Sequence, residues 1–224
     1  MIYLIANWKA VLTLKDCQEW MTTFISHFTA EKLDKKLQEK NIKIIICPPN
    51  PLLYYVKNQC SDLRSVELGA QHVSPHTNGA YTGEVTAEIL KDFVSYAIVG
   101  HSEMRKFDHL EESEIQQILE RCKEQHIKTI LCIRNEKDKV YSTDIIAYEP
   151  VDAIGNGNNA TVTDVMELKN SLQLPSETMF LYGGSVSEEN VSHYLNEKSI
   201  NGLLIGTSSR QAEKFLKLVY STLA

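Results

Sequence analysis

The sequence predicts an α/β fold in which a closed (β/α)8 barrel is favoured over an open, doubly wound parallel sheet. Eight short apolar runs rich in β-branched residues suit strands that are buried on both faces. Amphipathic stretches with helical periodicity separate these runs, and this alternation predicts right-handed βαβ units and a parallel sheet. The number of runs favours the barrel, although the count alone leaves the open sheet as an alternative.

The predicted strands and helices alternate along the chain. The strands are expected at residues 3–7, 42–47, 66–70, 96–100, 129–133, 145–149, 179–183 and 202–206. The helices are expected at residues 14–28, 88–93, 113–125, 161–172, 188–197 and 210–223. The stretch between Ile133 and Ile145 is too short for a full helix with its two loops. The fifth helix is therefore predicted to be reduced or missing, which agrees with a chain of 224 residues, shorter than the roughly 250 typical of this barrel.

Length, charge and cysteine usage narrow the class of protein. A chain of 224 residues, 43% hydrophobic, suits one core, so we expect a single domain over residues 1–224. The net charge of −6 and the scattered lysines and arginines argue against a nucleic-acid partner. Five cysteines without CxxC or zinc-ligand spacing read as reduced thiols. No basic leader and no apolar run near the roughly 20 residues of a membrane span occur, so we expect a cytoplasmic protein without a membrane partner.

Polar residues gather where the predicted strands end. In a barrel of this class the loops after the strands form the functional face. The residues at these ends are Asn7, Lys9, Gln71, His101, Glu103, Glu149, Ser185 and Gly206. A carboxylate, an imidazole, a lysine and glycines are thus expected at one mouth. Ionised groups beside buried strands are costly unless they have a partner or a chemical role.

Six motifs, in order and spread over the whole chain, resemble the triosephosphate isomerase family. They are NWK (7–9), AQHVSPHTNGAYTGEV (70–85), VGHSEMR (99–105), AYEPVDAIGNG (147–157), YGGSV (182–186) and GLLIGTSS (202–209). The resemblance implies a TIM barrel that interconverts dihydroxyacetone phosphate and D-glyceraldehyde 3-phosphate. No metal or organic cofactor is implied.

The resemblance assigns catalytic roles to five residues. Glu149 matches the general base that shuttles a proton through an enediolate, and His101 matches the electrophile. Lys9 matches the cationic substrate contact, and Asn7 the neighbour that positions Lys9 and His101. A histidine at a helix start is expected to have a lowered pKa and to stay neutral. Glu103 matches a second carboxylate, for which pairing with Lys9 and a proton relay are both open.

The same resemblance assigns the phosphate site and the contacts that close a mobile segment over it. The backbone N–H groups expected to bind phosphate belong to Gly155, Ser185, Gly206 and Thr207. Thr207 departs from a glycine that is usual in the family. The closing contacts are expected from Ile154, Leu204 and Tyr182.

Two further features concern the partner and the hinge. The long segment 71–84 matches a loop that inserts into a second subunit, where Thr82 would reach the partner site, so we expect a homodimer, with a tetramer as the alternative.

Asp152 and Asn135 stand where the family commonly has a contacting tryptophan and glutamate. We interpret this pair as a rebuilt or lost hinge contact that affects loop motion rather than proton transfer.

Two other functions remain in contention at this point. Residues 155–160, GNGNNA, match a dinucleotide-binding pattern after a strand, which suggests an NAD-dependent oxidoreductase. Five residues including Pro150 separate Glu149 from Gly155, whereas that pattern needs a tight turn into a helix. A catalytically silent barrel would leave Lys9, His101 and Glu149 unexplained. An isomerase assay separates the three.

Overall fold

Eight parallel strands close into a barrel in the part of the chain that the structure describes. The computed structural model describes residues 1–150 and 159–223. The strands pair in sequence order, and β1 closes the barrel against β8. They are β1 Ile2–Asn7, β2 Ile42–Cys47, β3 Val66–Ala70, β4 Tyr96–Val99, β5 Lys128–Ile133, β6 Ile145–Tyr148, β7 Met179–Tyr182 and β8 Gly202–Ile205. The barrel expectation is confirmed, and the open sheet is excluded.

The strands are apolar on both faces because they separate two cores. One cluster contains strand and helix residues and fills the space between the barrel and its outer layer. The other contains strand residues and lies inside the barrel, where Tyr3 and Ile5 of β1 alternate with the outward Leu4 and Ala6. The alternation determines which strand-end side chains enter the mouth of the barrel.

The helices cover the outside of the barrel. Each of the six predicted amphipathic stretches overlaps one of them. They are α1 Leu14–Ala30, α2 Leu33–Glu39, α3 Leu53–Gln59, α4 Ala87–Leu90, α5 Ser102–Phe107, α6 Glu112–Glu124, α7 Val162–Ser171, α8 Val191–Leu195 and α9 Ala212–Ser221. Reciprocal caps begin α1 and α7, because Thr13 and Thr161 each exchange hydrogen bonds with an aspartate three residues later. None of the described helices is long and apolar enough to cross a membrane.

The connection from β5 to β6 contains no helix, as the sequence predicts. Residues 134–144 form turns instead. Asp138, only 9% exposed, accepts hydrogen bonds from the backbone N, Nε and Nη2 of Arg134 and so ties the turn together. Asn135 accepts from the backbone N of Lys137 in the same turn. A groove of about 850 Å³ lies at the N-terminal ends of β5, β6 and β7, between α6 and residues 141–144.

Candidate active site

Strand alternation brings Asn7 and Glu149 to the mouth of the barrel. Asn7 lies two residues after Ile5, and Glu149 two residues after Ala147, both of which face the barrel interior. Asn7 is 5% exposed and Glu149 is 3% exposed. Buried polar groups of this kind need partners, and both have them.

A glycine turns the chain so that His101 enters the same mouth. Gly100 follows β4 with φ +68°, a left-handed conformation that glycine adopts without a steric penalty. Arg105 holds this turn because its Nε donates to the carbonyl of Gly100 at 2.8 Å. His101 then caps α5, and its Nδ1 accepts from the backbone N–H of Glu103 at 3.2 Å. Since Nδ1 accepts, the ring proton of the neutral imidazole resides on Nε2.

His101 and Glu149 face each other in the described site. Nε2 of His101 lies 3.0 Å from Oε1 of Glu149, and the two side chains are each 5% exposed. The backbone N–H of Ser102 approaches the other carboxylate oxygen at 3.5 Å. The buried thiol of Cys132 also lies near this carboxylate, and its pKa is raised by burial and by Glu149. Glu149 is therefore held as an ionised acceptor beside a ring donor.

The contact changes the pKa of both partners. Burial acts to raise the pKa of Glu149, but His101, Lys9 and the backbone N–H of Ser102 together outweigh it, so the pKa is lowered. Burial acts to lower the pKa of His101, but the facing Glu149 raises it above its ordinary value. The lowered histidine pKa expected from the helix start is therefore wrong for this state, because the carboxylates outweigh the burial and the Lys9 charge that act to lower it.

Lys9 is held in an unusual backbone conformation. Its φ is +52°, a left-handed value that costs a non-glycine residue on the order of 1–3 kcal/mol. Oδ1 of Asn7 accepts from the backbone N of Lys9 at 3.1 Å, and Nε2 of Gln71 donates to its carbonyl at 2.9 Å. Nζ of Lys9 lies 2.6 Å from Oε1 of Glu103. Lys9 thus projects its charge into the mouth while paired with the second predicted carboxylate.

Two glycines make room for these side chains. A Cβ on Gly183 would lie 2.8 Å from Cγ of Glu149, and a Cβ on Gly206 would lie 3.3 Å from Cε of Lys9. Both distances are shorter than comfortable van der Waals contact. The glycines after β7 and β8 therefore determine where the carboxylate and the ammonium group lie.

A cavity of about 870 Å³ unites most of the predicted site residues. Its wall includes Asn7, Lys9, His101, Glu103, Glu149, Ser185, Leu204, Gly206 and Thr207. Gly206 leads into a short 3-10 helix, Thr207–Arg210, which is anchored where Oγ of Ser209 donates to the carbonyls of Ile205 and Gly206 at 2.9 and 2.7 Å. Among the described residues, no group of three or more metal-ligating side chains forms a metal site.

The contacts expected to close the site are present in part. The hydroxyl of Tyr182 accepts from the backbone N of Ala160 at 3.1 Å, and the hydroxyl of Tyr194 donates to the carbonyl of Ala160 at 2.7 Å. The two tyrosine rings stack with centroids 4.3 Å apart. Ile154, Gly155 and Asp152 lie outside the described residues.

Sequence reasoning missed some functional neighbours. Gln71 was predicted only as a polar strand end, yet it holds the carbonyl of Lys9 and that of Cys47, the latter at 2.8 Å. Tyr194 and Arg210 were predicted only as helix residues, yet Tyr194 binds Ala160 and Arg210 lines the cavity. The stretches around these residues, AQHV (70–73), SHYL (192–195) and RQAEKF (210–215), carry no local signal of these contacts.

Comparison with known proteins gives a consistent picture. The family model described as triosephosphate isomerase matches residues 2–222. The chain is 35% identical to the triosephosphate isomerase of Aquifex aeolicus, over 96% of this chain and 97% of that protein. It is 31% identical to that of Dictyoglomus turgidum, over 96% and 97%, and 31% identical to that of Thermus thermophilus, over 95% of each. These matches favour an isomerase over the oxidoreductase and the silent barrel, and the chain belongs to the triosephosphate isomerase family.

Proposed function

We propose that this single barrel domain interconverts dihydroxyacetone phosphate and D-glyceraldehyde 3-phosphate, with Glu149 as the base. The observation that supports the roles most strongly is the buried approach of His101 Nε2 to Glu149 Oε1 at 3.0 Å, in a cavity that Lys9 also lines. A base and a ring N–H donor side by side suit proton removal next to a carbonyl group. The family to which the chain belongs performs this conversion.

The proposed steps move one proton between neighbouring carbons. Glu149 takes a proton from C1 of dihydroxyacetone phosphate while Nε2–H of His101 donates to the carbonyl oxygen at C2. The resulting enediolate is neutralised by the charge of Lys9 and by these hydrogen bonds. Proton transfers between the oxygens follow, and protonated Glu149 then delivers its proton to C2. The ketone and the aldehyde are isomers that differ only in the positions of protons and bonds. The conversion therefore needs no oxidant or reductant.

The substrate must separate His101 from Glu149 for this chemistry. A ring proton that is hydrogen-bonded to the carboxylate is not available to the substrate carbonyl, and the same bond lowers the basicity of Glu149. Once the carboxylate moves to the carbon side, loss of this bond and exclusion of water raise its pKa. The His101 pKa falls at the same time, because burial and Lys9 then act without the hydrogen-bonded Glu149.

The phosphate end of the substrate is proposed to bind mainly to backbone N–H groups. Ser185 and Gly206 line the cavity after β7 and β8, and Thr207 begins the 3-10 helix there. Gly155 is proposed as a further donor, and Ile154 with Leu204 as the apolar cover over Glu149. The Tyr182 contact with Ala160 supports a closing role for the segment that precedes Ala160.

The activity is tested with purified protein in an assay that couples glyceraldehyde 3-phosphate formation or consumption to a dehydrogenase. We expect activity that Glu149→Gln reduces by at least about 10³-fold, since the amide cannot accept a proton. Glu189→Gln is the matched control, because Glu189 lines the same cavity but is exposed and lies away from His101. Equal loss in both variants, or no activity in the parent protein, contradicts the proposal.

We further propose a cytoplasmic homodimer that forms through residues 71–84. This segment is held by its own contacts, including Ser74 N to Val85 O at 2.9 Å and the stacked rings of His76 and Tyr81, while Thr82 is exposed. All five cysteines are free and buried, which suits a reducing compartment. Light scattering gives the assembly directly, and we expect Thr82→Arg to shift it toward monomer and lower activity. A monomeric parent protein contradicts the dimer, whereas a tetramer extends it.

A further inference from the structure

The described wall of the active-site cavity carries few positive charges for binding a phosphorylated substrate. The formal cations on this wall are Lys9 and Arg210, and the formal anions are Glu103, Glu149 and Glu189. With its histidines neutral, the described wall therefore carries a net charge of −1, two cations against three carboxylates. A phosphate monoester adds close to two further negative charges at neutral pH. The described wall thus offers little positive charge to such a substrate.

The two cations differ in how much of their charge is left for the substrate. Nζ of Lys9 lies 2.6 Å from Oε1 of Glu103, so part of its charge is compensated within the protein. The guanidinium group of Arg210 forms no hydrogen bond or ion pair with any described residue. Arg105 and Arg121 also have one unsatisfied nitrogen each, but each of them has a carboxylate partner, Glu112 or Glu124. Arg210 is therefore the uncompensated cation of the described cavity wall.

The position of Arg210 puts this charge at the phosphate end of the cavity. It ends the 3-10 helix Thr207–Arg210, whose first residue is a proposed phosphate ligand. The same turn is fixed to the neighbouring loop, because Oγ of Ser208 donates to the carbonyl of Val186 at 2.8 Å. Nε of Arg210 is buried without an acceptor. A buried N–H without a partner is costly, and an anion in the cavity would reduce that cost.

We propose that Arg210 is an electrostatic anchor for the substrate phosphate, additional to the backbone donors and Lys9. This inference rests on the proposed function for the identity of the anion. Arg210 is not among the described groups that contact Glu149, so we assign it no part in proton transfer, and its charge acts on binding and on the rate of capture of a dianion. The charge of Arg210 stabilises the bound substrate and the transition state to the same extent. It therefore lowers KM without raising kcat.

The test compares Arg210→Leu with Arg210→Lys and Arg64→Leu. Arg64 is exposed, makes no contact with the cavity and precedes β3, at the opposite end of the barrel, so its variant removes the same unit of charge elsewhere. We expect Arg210→Leu to raise KM for glyceraldehyde 3-phosphate and the inhibition constant of inorganic phosphate on the order of 3- to 10-fold, with kcat within about twofold of the parent. The effect should shrink as salt is raised, Arg210→Lys should restore most of it, and Arg64→Leu should leave both constants unchanged.

Calorimetric titration with inorganic phosphate measures phosphate affinity without requiring turnover. It therefore tests this inference independently of the proposed function. Weaker phosphate binding in Arg210→Leu than in Arg64→Leu supports the anchor even in a protein without isomerase activity, in which case the function alone fails. Equal phosphate affinity in the two variants overturns the anchor. A loss of kcat at unchanged KM and phosphate affinity also overturns it, because that result assigns Arg210 to the chemical step or to the packing of the 3-10 helix.

Discussion

Nε2 of His101 and Oε1 of Glu149 lie 3.0 Å apart at the mouth of the barrel, each on a side chain that is 5% exposed. The contact joins the end of β6 to the start of α5 and lowers the pKa of the carboxyl group that is proposed to be the base.

Removal of His101 is expected to raise the pKa of Glu149. In His101→Leu the burial that favours the protonated carboxyl remains, while the charge and hydrogen bond that oppose it are lost. A Glu149 pKa above that of the parent protein should appear in the carboxyl 13C titration of glutamate-labelled protein, with Glu149→Gln used to assign the signal. An unchanged or lower pKa contradicts the electrostatic role assigned to His101.

Gly183→Ala is expected to impair the chemical step. The added Cβ would lie 2.8 Å from Cγ of Glu149 and 3.3 Å from the carbonyl oxygen of Tyr148, so the carboxylate must shift. A misplacement of about 1 Å can cost up to roughly 100-fold in rate, so we expect kcat to fall about 10- to 100-fold. The inhibition constant of phosphate should stay within about twofold. Gly206→Ala, whose Cβ would meet Lys9, should instead weaken inhibition by phosphate. The same response from both variants would contradict the assignment of Gly183 to the position of Glu149 and of Gly206 to phosphate binding.

Tyr182→Phe is expected to weaken closure over the substrate. The variant leaves the backbone N–H of Ala160 without the hydroxyl acceptor that it has at 3.1 Å. Loss of such a bond costs about 1–2 kcal/mol, so kcat/KM should fall on the order of 10-fold, and more enediolate should lose phosphate to form methylglyoxal. Tyr220→Phe is the control, since it removes a hydroxyl bonded to His27 on the outer helices. Parent-like kinetics and product ratio in Tyr182→Phe would refute the role of this hydroxyl.

Asp138→Asn is expected to destabilise the turn that stands in place of the fifth helix. The side chain of Asp138 accepts three hydrogen bonds from Arg134, and because the Arg134 side chain is partly exposed we discount the effect to about 1–2 kcal/mol of unfolding free energy at pH 7. These bonds lower the pKa of Asp138 against its burial. A folded pKa below the unfolded one gives stability that is present above the unfolded value and is lost as pH falls through the folded value.

Urea unfolding at fixed protein concentration measures this difference. The gap between parent and Asp138→Asn should therefore narrow at about pH 3, below the ordinary aspartate pKa. Asp62→Asn, at an exposed aspartate of the helix–strand turn before β3, should cause no comparable loss. A gap that grows on acidification would contradict the assignment of the stabilisation to an ionised Asp138.

The strands and the gathering of the site could be predicted from the sequence for a physical reason. Continuous apolar runs mark strands buried on both faces, and each predicted strand agrees with the structure to within one residue at either end. Glu149 and Asn7 follow such runs, so a parallel barrel brings them to one end. The missing fifth helix follows from the few residues between Ile133 and Ile145.

The remaining features depend on tertiary contacts or on weak local signals. The helices α2, α3 and α5 were not predicted, because LDKKLQE and SEMRKF are short and polar and α3 follows Pro49 and Pro51. The left-handed φ of Lys9 has no sequence signature, since lysine seldom adopts it. The direction of the His101 pKa depends on a carboxylate 48 positions later in the chain, which only the folded barrel brings near.

Exchange with solvent deuterium tests the proton transfer through Glu149 most directly. The parent protein converts dihydroxyacetone phosphate in deuterium oxide, and the position of the label is read by NMR. The account predicts deuterium at C2 of glyceraldehyde 3-phosphate and at C1 of recovered dihydroxyacetone phosphate, with both signals lost in Glu149→Gln and retained in Glu189→Gln. Product formed without deuterium, as direct hydride transfer between the carbons would give, or exchange that persists in Glu149→Gln, would contradict the account.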